Sequence, residues 1–320
     1  MARKIIIDTD PGVDDTMAIF FALRSPELDV IGLTTIFGNV HTDLATTNAL
    51  RLLEIAGRTD IPVAKGADDP LAVPFRGPVP FVHGDDGQGN VNLPPPKTRP
   101  ISQPAAVFII EQIMAAPGEI TLVPLGPLTN IALALRLEPR IAKHVKEVVL
   151  MGGNVLCPGN ATPAAEANIH NDPEAADVVL GAGCPVTMVG LDVTHQVNLM
   201  PEHIARYEAS QDPLAQHVAR ILPHYRAYFE TVNPDMRGIY VHDSSAVAYV
   251  IDPTLFETRQ WPIRVETQGI SRGKTLHWGL PDDYPTIPPA FKGRPRVNVC
   301  VGVDAARLIA LETERLTKQN

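Results

Sequence analysis

The sequence predicts an α/β protein: one large domain, residues 1–320, with a mainly parallel central sheet flanked by helices around a Rossmann-like core. Three observations carry this expectation. Strand-like apolar runs alternate with helix-like stretches along the chain, which is the pattern of a parallel sheet with helices on both faces. The apolar runs are nearly continuous, as in strands covered on both sides. No clear linker and no internal repeat divides the chain.

The elements follow in order. Lys4 to Asp8 is the first strand, and the helix from Asp14 to Leu23 opens with acids, which favour a helix N-terminus. Val30 to Ile36 is the second strand and Leu44 to Ala56 the second helix. Ile120 to Leu125 is a strand, followed by a helix from Leu128 to Leu137 and a strand from Val148 to Met151. The helix Pro173 to Leu180 starts with proline, where the missing N–H does no harm. Val186 to Leu191 and Val297 to Val303 are further strands, and Ala305 to Leu316 closes the series as a helix. Two stretches break the rhythm. Residues 66–104 hold nine prolines and several glycines, and a loop of this length in a compact domain is usually functional. Residues 269–295 are also rich in Gly and Pro and are expected on the surface.

Composition excludes several classes. An apolar fraction of 45% supports a sizeable core, while a net charge of −9 argues against a general nucleic-acid or anionic-membrane binder. No apolar run reaches the roughly 18 residues of a membrane helix. Cys157, Cys184 and Cys300 are odd in number and lack metal-binding spacing, so a reducing cytoplasm is expected.

The chemistry concentrates in the run IIIDTDPGVDD, where Asp8, Asp10, Asp14 and Asp15 fall between a strand and a helix. Two carboxylates ~4 Å apart repel by about 1 kcal/mol in water and about 4 kcal/mol at an effective dielectric of 20. A hard divalent cation with oxygen ligands offsets that cost. One geometry lets Asp10 and Asp15 grip the cation while Asp14 faces a ligand; helix capping and solvation are the bland alternative. An EF-hand loop beginning at Asp8 would need Glu at its twelfth position, which is Ile19. A phosphate-binding loop would need a Gly-Lys-Ser/Thr ending, which is absent. Asp8 and Asp10, Asn39, Leu125, the segment from Met151 and Asp192 follow strands, which places the interesting residues on one rim of the sheet.

The full run DTDPGVDDTMAI resembles the signature of the nucleoside hydrolases, the inosine–uridine-preferring ribohydrolase family. Later blocks resemble the family in the same order: IFGNV at 36–40, HGDDG at 83–87, GPLTNIALAL at 126–135, VVLMGGN at 148–154, AEANIHNDPEAA at 165–176, LDVTHQV at 191–197 and VHDSSAVAY at 241–249. The resemblance implies the nucleoside hydrolase fold and a Ca2+ ion held by Asp10, Asp15, Asp243 and the backbone carbonyl of Leu125, all oxygen donors. It implies hydrolysis of the N-glycosidic bond of a ribonucleoside, purine or pyrimidine, to ribose and free base in nucleoside salvage. Asp10 is implied as general base and His242 as general acid to the leaving base. Asp14 and Asn168 are implied near the 2′/3′ edge of the ribose, Asn160 and Glu166 near its 5′-hydroxyl, with Asn39 a further polar contact and Met151 packed on the sugar. At the base, His83 resembles a residue of a closing flap, Tyr225, Tyr228 and Phe229 are stacking candidates, and Arg237 is a further contact. A homotetramer or dimer is also implied. Two other functions compete: a metal-dependent phosphohydrolase using Asp8 or Asp10 as nucleophile, and a non-catalytic ribose- or nucleoside-binding protein.

Overall fold

The computed structural model describes residues 2–281 and 283–318. Its strands are β1 (Arg3–Thr9), β2 (Leu28–Thr35), β3 (Val63–Lys65), β4 (Thr121–Pro124), β5 (Glu147–Met151), β6 (Val186–Val189), β7 (Asn198–Leu199), β8 (Ile239–Tyr240), β9 (Phe256–Val265), β10 (Thr275–His277) and β11 (Arg296–Val303). Nine of them form one sheet in the order β10-β9-β11-β6-β5-β4-β1-β2-β3. From β3 through β11 every neighbouring pair runs parallel; only β9 and β10 add antiparallel pairings. This is a single α/β domain of the expected class.

Both faces of the sheet are covered, which explains the unbroken apolar runs. Along β1, Ile5 and Ile7 join one core cluster and Ile6 joins the other. Alternate residues of a strand face opposite ways, so a strand buried on both sides has no polar positions to spare. The first cluster takes in the helices Val13–Leu23, Pro213–Val232 and His242–Ile251, and the second takes in Ala105–Ala115, Thr129–Leu137 and Pro173–Leu180.

The strand order fixes where a ligand can sit. After β1 the chain winds outward to β2 and β3, then returns to place β4 on the other side of β1. The reversal opens a crevice at the carboxyl ends of β1 and β4, the usual ligand position in such sheets. Asp10 follows β1 and Leu125 follows β4.

Most elements match their expected ranges within one or two residues. One boundary differs in kind. The strand expected from Val186 to Leu191 ends at Val189, and Leu191–Thr194 is a helical turn. Gly190, between the two, has extended backbone, and a Cβ there would meet the Gly153 carbonyl. Asp192 therefore lies on a helical turn and not at a strand end.

The 66–104 segment carries little regular structure but is tied down. The Asp86 carboxylate accepts the backbone N–H groups of Gln88, Asn90 and Asn92 at 2.7, 2.8 and 2.6 Å. Arg51 donates to the Pro94 and Leu93 carbonyls, and Glu54 accepts from the backbone of Lys97 and Thr98. Residues 269–295 lie mostly near the surface, with β10 inside them.

Candidate active site

Asp10, Asp14, Asp15 and Asp243 are all buried. Asp14 and Asp15 sit in the first turn of the helix Val13–Leu23, and Asp243 in the first turn of His242–Ile251. Two helix N-termini thus contribute partial positive charge to the site. Ligand oxygens of Asp14, Asp15 and Asp243 lie within 4.8 Å of one another. Asp10 is not one of these three, but the charges of Asp15 and Asp14 act on it. Its carboxylate fits under two glycines: a Cβ at Gly38 or at Gly126 would collide with it. That close approach explains why glycine occurs in both the IFGNV and GPLTN segments.

Burial is the first cause of raised pKa at every member of the group. It pushes Asp14 up to about 7, with the Asp15 charge adding to the rise. Asp10 and Asp243 are held well above the usual carboxylate range by burial and by their carboxylate neighbours. Asp15 rises less steeply because Thr9, the Gly12 N–H and the Asn39 amide stabilise its charged form. Two buried oxygens, Asp10 Oδ1 and Asp14 Oδ1, have no hydrogen-bond partner among the described residues. Oxygen-only donors, mutual repulsion and orphaned lone pairs together fit a divalent cation.

The residues expected at the sugar converge on the same rim. The Asn39 N–H donates to Asp10 Oδ2 at 2.6 Å, and its side-chain amide donates to Asp15 Oδ2 at 2.9 Å. Asn168 Nδ2 donates to the Leu125 carbonyl at 2.6 Å and to Met151 at its carbonyl and sulfur. The Leu125 carbonyl is thus already drawn into the polar network. Glu166 is buried and caps the helix Ala167–Asn171, accepting the N–H groups of Asn168, Gly153 and Ile169 at 2.7, 2.9 and 3.0 Å. Asn160 is exposed and accepts the Ala167 N–H at 3.0 Å.

The opposite wall is aromatic. His83 is buried; its Nδ1 accepts the Val13 N–H at 3.1 Å, and its ring lies 5.5 Å from Tyr225. Burial raises the Tyr225 pKa well above the usual phenol range, and the charges of Asp14 and Asp243 add to the rise, so this ring stands close to the acidic residues. Phe229 packs on Tyr225, Tyr228 and Tyr240 at 4.9, 5.3 and 5.3 Å. Tyr228 is half-buried and meets the exposed Phe81. His242 opens its helix with Nδ1 2.8 Å from the Thr194 hydroxyl. Burial, with His195 and His83 nearby, lowers its pKa to about 3. Arg237 is exposed.

Asp8 gave a misleading signal in the sequence, and several other supporting residues gave none. Asp8 does not join the acidic floor: it accepts from Thr34 and from Asn130 Nδ2, and burial pushes it up to about 7. Gln88 is buried and donates to Gly12 O and Thr16, pinning the Pro/Gly-rich segment to the acidic turn. Thr194, His195 and Tyr240 flank His242. Gln88 directly follows the HGDDG block and Asn130 lies within GPLTNIALAL, but nothing local singled out either residue.

A buried acidic cluster at the switch point of a parallel sheet, with amides and aromatic rings close to it, suits a metal-assisted reaction on a polyhydroxylated substrate carrying a flat group. Comparison with known proteins narrows this class. The family model for inosine-uridine preferring nucleoside hydrolase matches residues 5–310. A protein named probable uridine nucleosidase 2 from Arabidopsis thaliana is 48% identical, covering 98% of this chain and 97% of that protein. The inosine-uridine preferring nucleoside hydrolase of Leishmania major is 45% identical over 86% of this chain and 88% of its own. Among solved structures, a plant nucleoside hydrolase, the PpNRh1 enzyme, superposes with a TM-score of 0.95 at 42% identity, with 100% of both chains covered. This chain belongs to the inosine-uridine preferring nucleoside hydrolase family. It is a ribonucleoside hydrolase, which releases ribose and a free base.

Proposed function

We propose that the enzyme is a calcium-dependent hydrolase with uridine among its substrates, acting in nucleoside salvage in the cytoplasm as a homotetramer or dimer. The observation that carries the metal is the buried acidic floor with its two unpartnered oxygens. Asp10, Asp15, Asp243 and the Leu125 carbonyl would hold the ion, and Asp14, grouped with Asp15 and Asp243, would stand beside it. When bound, the ion supplies positive charge that orients a water and the ribose diol and lowers the water's pKa. Uridine is supported by relatives: proteins 41–48% identical to this chain are named uridine nucleosidases.

In this reading Asp10 takes the proton of the attacking water as its oxygen joins C1′. Its backbone bond from Asn39 fixes one oxygen and leaves Oδ1 free to accept. Asp14, Asn39 and Asn168 bind the ribose hydroxyls, and Asn160 and Glu166 stand at the 5′ end. Met151 packs on the sugar. The positive charge that develops on the ring is met by the carboxylates beneath it. His83, Tyr225 and Tyr228 bound the base, and His242 donates a hydrogen bond to it as it departs. The 66–104 segment closes the pocket and excludes water.

The test is an assay of reducing-sugar release from uridine, inosine, cytidine and adenosine, with added calcium and with a chelator. Release from uridine that a chelator abolishes and calcium restores is the expected outcome. Undiminished release in chelator sinks the metal reading, and inert uridine sinks the substrate reading.

A further inference from the structure

We propose that Thr194 is a positioning residue that sets the tautomer of His242, holding its imidazole as an Nε2–H donor for the departing base. The inference rests on the reading of His242 as that donor.

The Thr194 hydroxyl is completely buried and lies 2.8 Å from His242 Nδ1. This is its only hydrogen bond among the described residues. A hydroxyl carries one donor hydrogen and can accept as well. If Nδ1 held the proton, the ring would donate to Thr194, and the hydroxyl hydrogen would be stranded in the interior. Leaving a buried donor unspent is costly, whereas an unused acceptor lone pair is tolerated. The hydroxyl therefore donates to Nδ1, and the ring proton resides on Nε2. Both partners are fixed in place. The Thr194 N–H bonds the Gly190 carbonyl at 3.1 Å, and the His242 ring is packed by His195 at 5.7 Å and Tyr240 at 5.6 Å.

The consequence is chemical. As water adds to C1′, its proton passes to Asp10 and the C1′–N bond breaks, with the electron pair leaving on the base. The Nε2–H hydrogen bond stabilises that pair. A ring with its proton on Nδ1 would present a lone pair to the base and oppose departure.

The experiment compares Thr194→Val, Thr194→Ser and His242→Asn, saturated with calcium, on uridine and on 4-nitrophenyl β-D-ribofuranoside. The nitrophenolate is stable as an anion and needs no donor. Thr194→Val is expected to lower kcat on uridine by roughly 10-fold or more, with KM and the nitrophenyl riboside rate little changed. Thr194→Ser keeps the hydroxyl and restores the uridine rate. His242→Asn shows the same selectivity, more strongly. Equal loss on both substrates in Thr194→Val, or no loss, overturns the inference while a selective His242→Asn leaves the donor reading standing. A non-selective His242→Asn overturns both. Should the valine variant fail to fold, ¹⁵N-histidine NMR of the unmodified enzyme decides, with the His242 signals identified by their absence in His242→Asn. A proton on Nε2 supports the inference; a proton on Nδ1 overturns it.

Discussion

At the floor of the site, Asp10, Asp14, Asp15 and Asp243 are buried together; burial raises the pKa of each, and neighbouring carboxylates add to the rise at Asp10, Asp14 and Asp243. On the facing wall, Tyr225, Phe229, Tyr240 and His195 meet ring to ring at 4.7–5.3 Å. The floor is built of charges and directed hydrogen bonds, so its chemistry depends on residue type. The wall is held by edge contacts and apolar area, each ring pair adding about 0.5–1.5 kcal/mol beyond burial, so shape matters more than identity. Single changes should therefore cost most at the floor and least at the wall.

The largest expected effect is Asp10→Asn. The amide keeps an oxygen for the Asn39 N–H but cannot take a proton from water. Turnover of uridine should fall by roughly 1,000-fold. The fold should survive, because removing one of several repelling buried charges relieves the floor. Sugar release and thermal unfolding of the same preparation check both halves. A variant that keeps a tenth of its turnover would show that another group accepts the proton.

The same contrast governs what could be read from the sequence. The floor was legible because three of its four acids fall within one turn after one strand, where crowding itself demands an explanation. The fold was legible because both faces of the sheet are covered, which leaves long apolar runs. Asp8 misled: its neighbours suggest a shared ligand role, but Thr34 and Asn130, remote in sequence, draw it away from the floor. Thr194 and Gln88 were illegible for the same reason, since a lone hydroxyl or amide acquires meaning only from a partner 48 or 72 residues away. The wall was half-legible. The spacing of Tyr225 and Phe229 fits a helix face, but core and pocket use that spacing alike.

Glu312 sharpens the comparison, because it is a buried acid outside the floor. It lies on the helix Ala305–Thr317 and accepts from Ser244, behind the helix that carries His242 and Asp243. Burial raises its pKa from 4.5 to about 7. The folded state thus holds this proton more tightly than the unfolded chain. Its contribution to stability is complete below about pH 4.5 and is lost as pH rises through 7. The loss amounts to up to roughly 3 kcal/mol. Glu312→Gln should flatten that decline, measured by urea unfolding at pH 5 and pH 8. An unchanged decline would mean that Glu312 is not the group responsible.

The smallest effect belongs to the wall. Tyr228 is half-buried between Phe81 and Phe229 and makes no bond to the floor among the described residues. Its truncation in Tyr228→Ala removes apolar contact that substrate and transition state would share. A contact of that kind appears in KM and leaves kcat alone, and one ring contact is worth about tenfold or less. Tyr228→Phe should be nearly silent. Tyr225→Phe is the sharper control, since the Tyr225 hydroxyl feels the charges of Asp14 and Asp243, and there kcat should move as well. Should Tyr228→Ala lower kcat while KM stays constant, the wall takes part in the chemical step, and the division between a charged floor that reacts and an aromatic wall that only receives the base no longer holds.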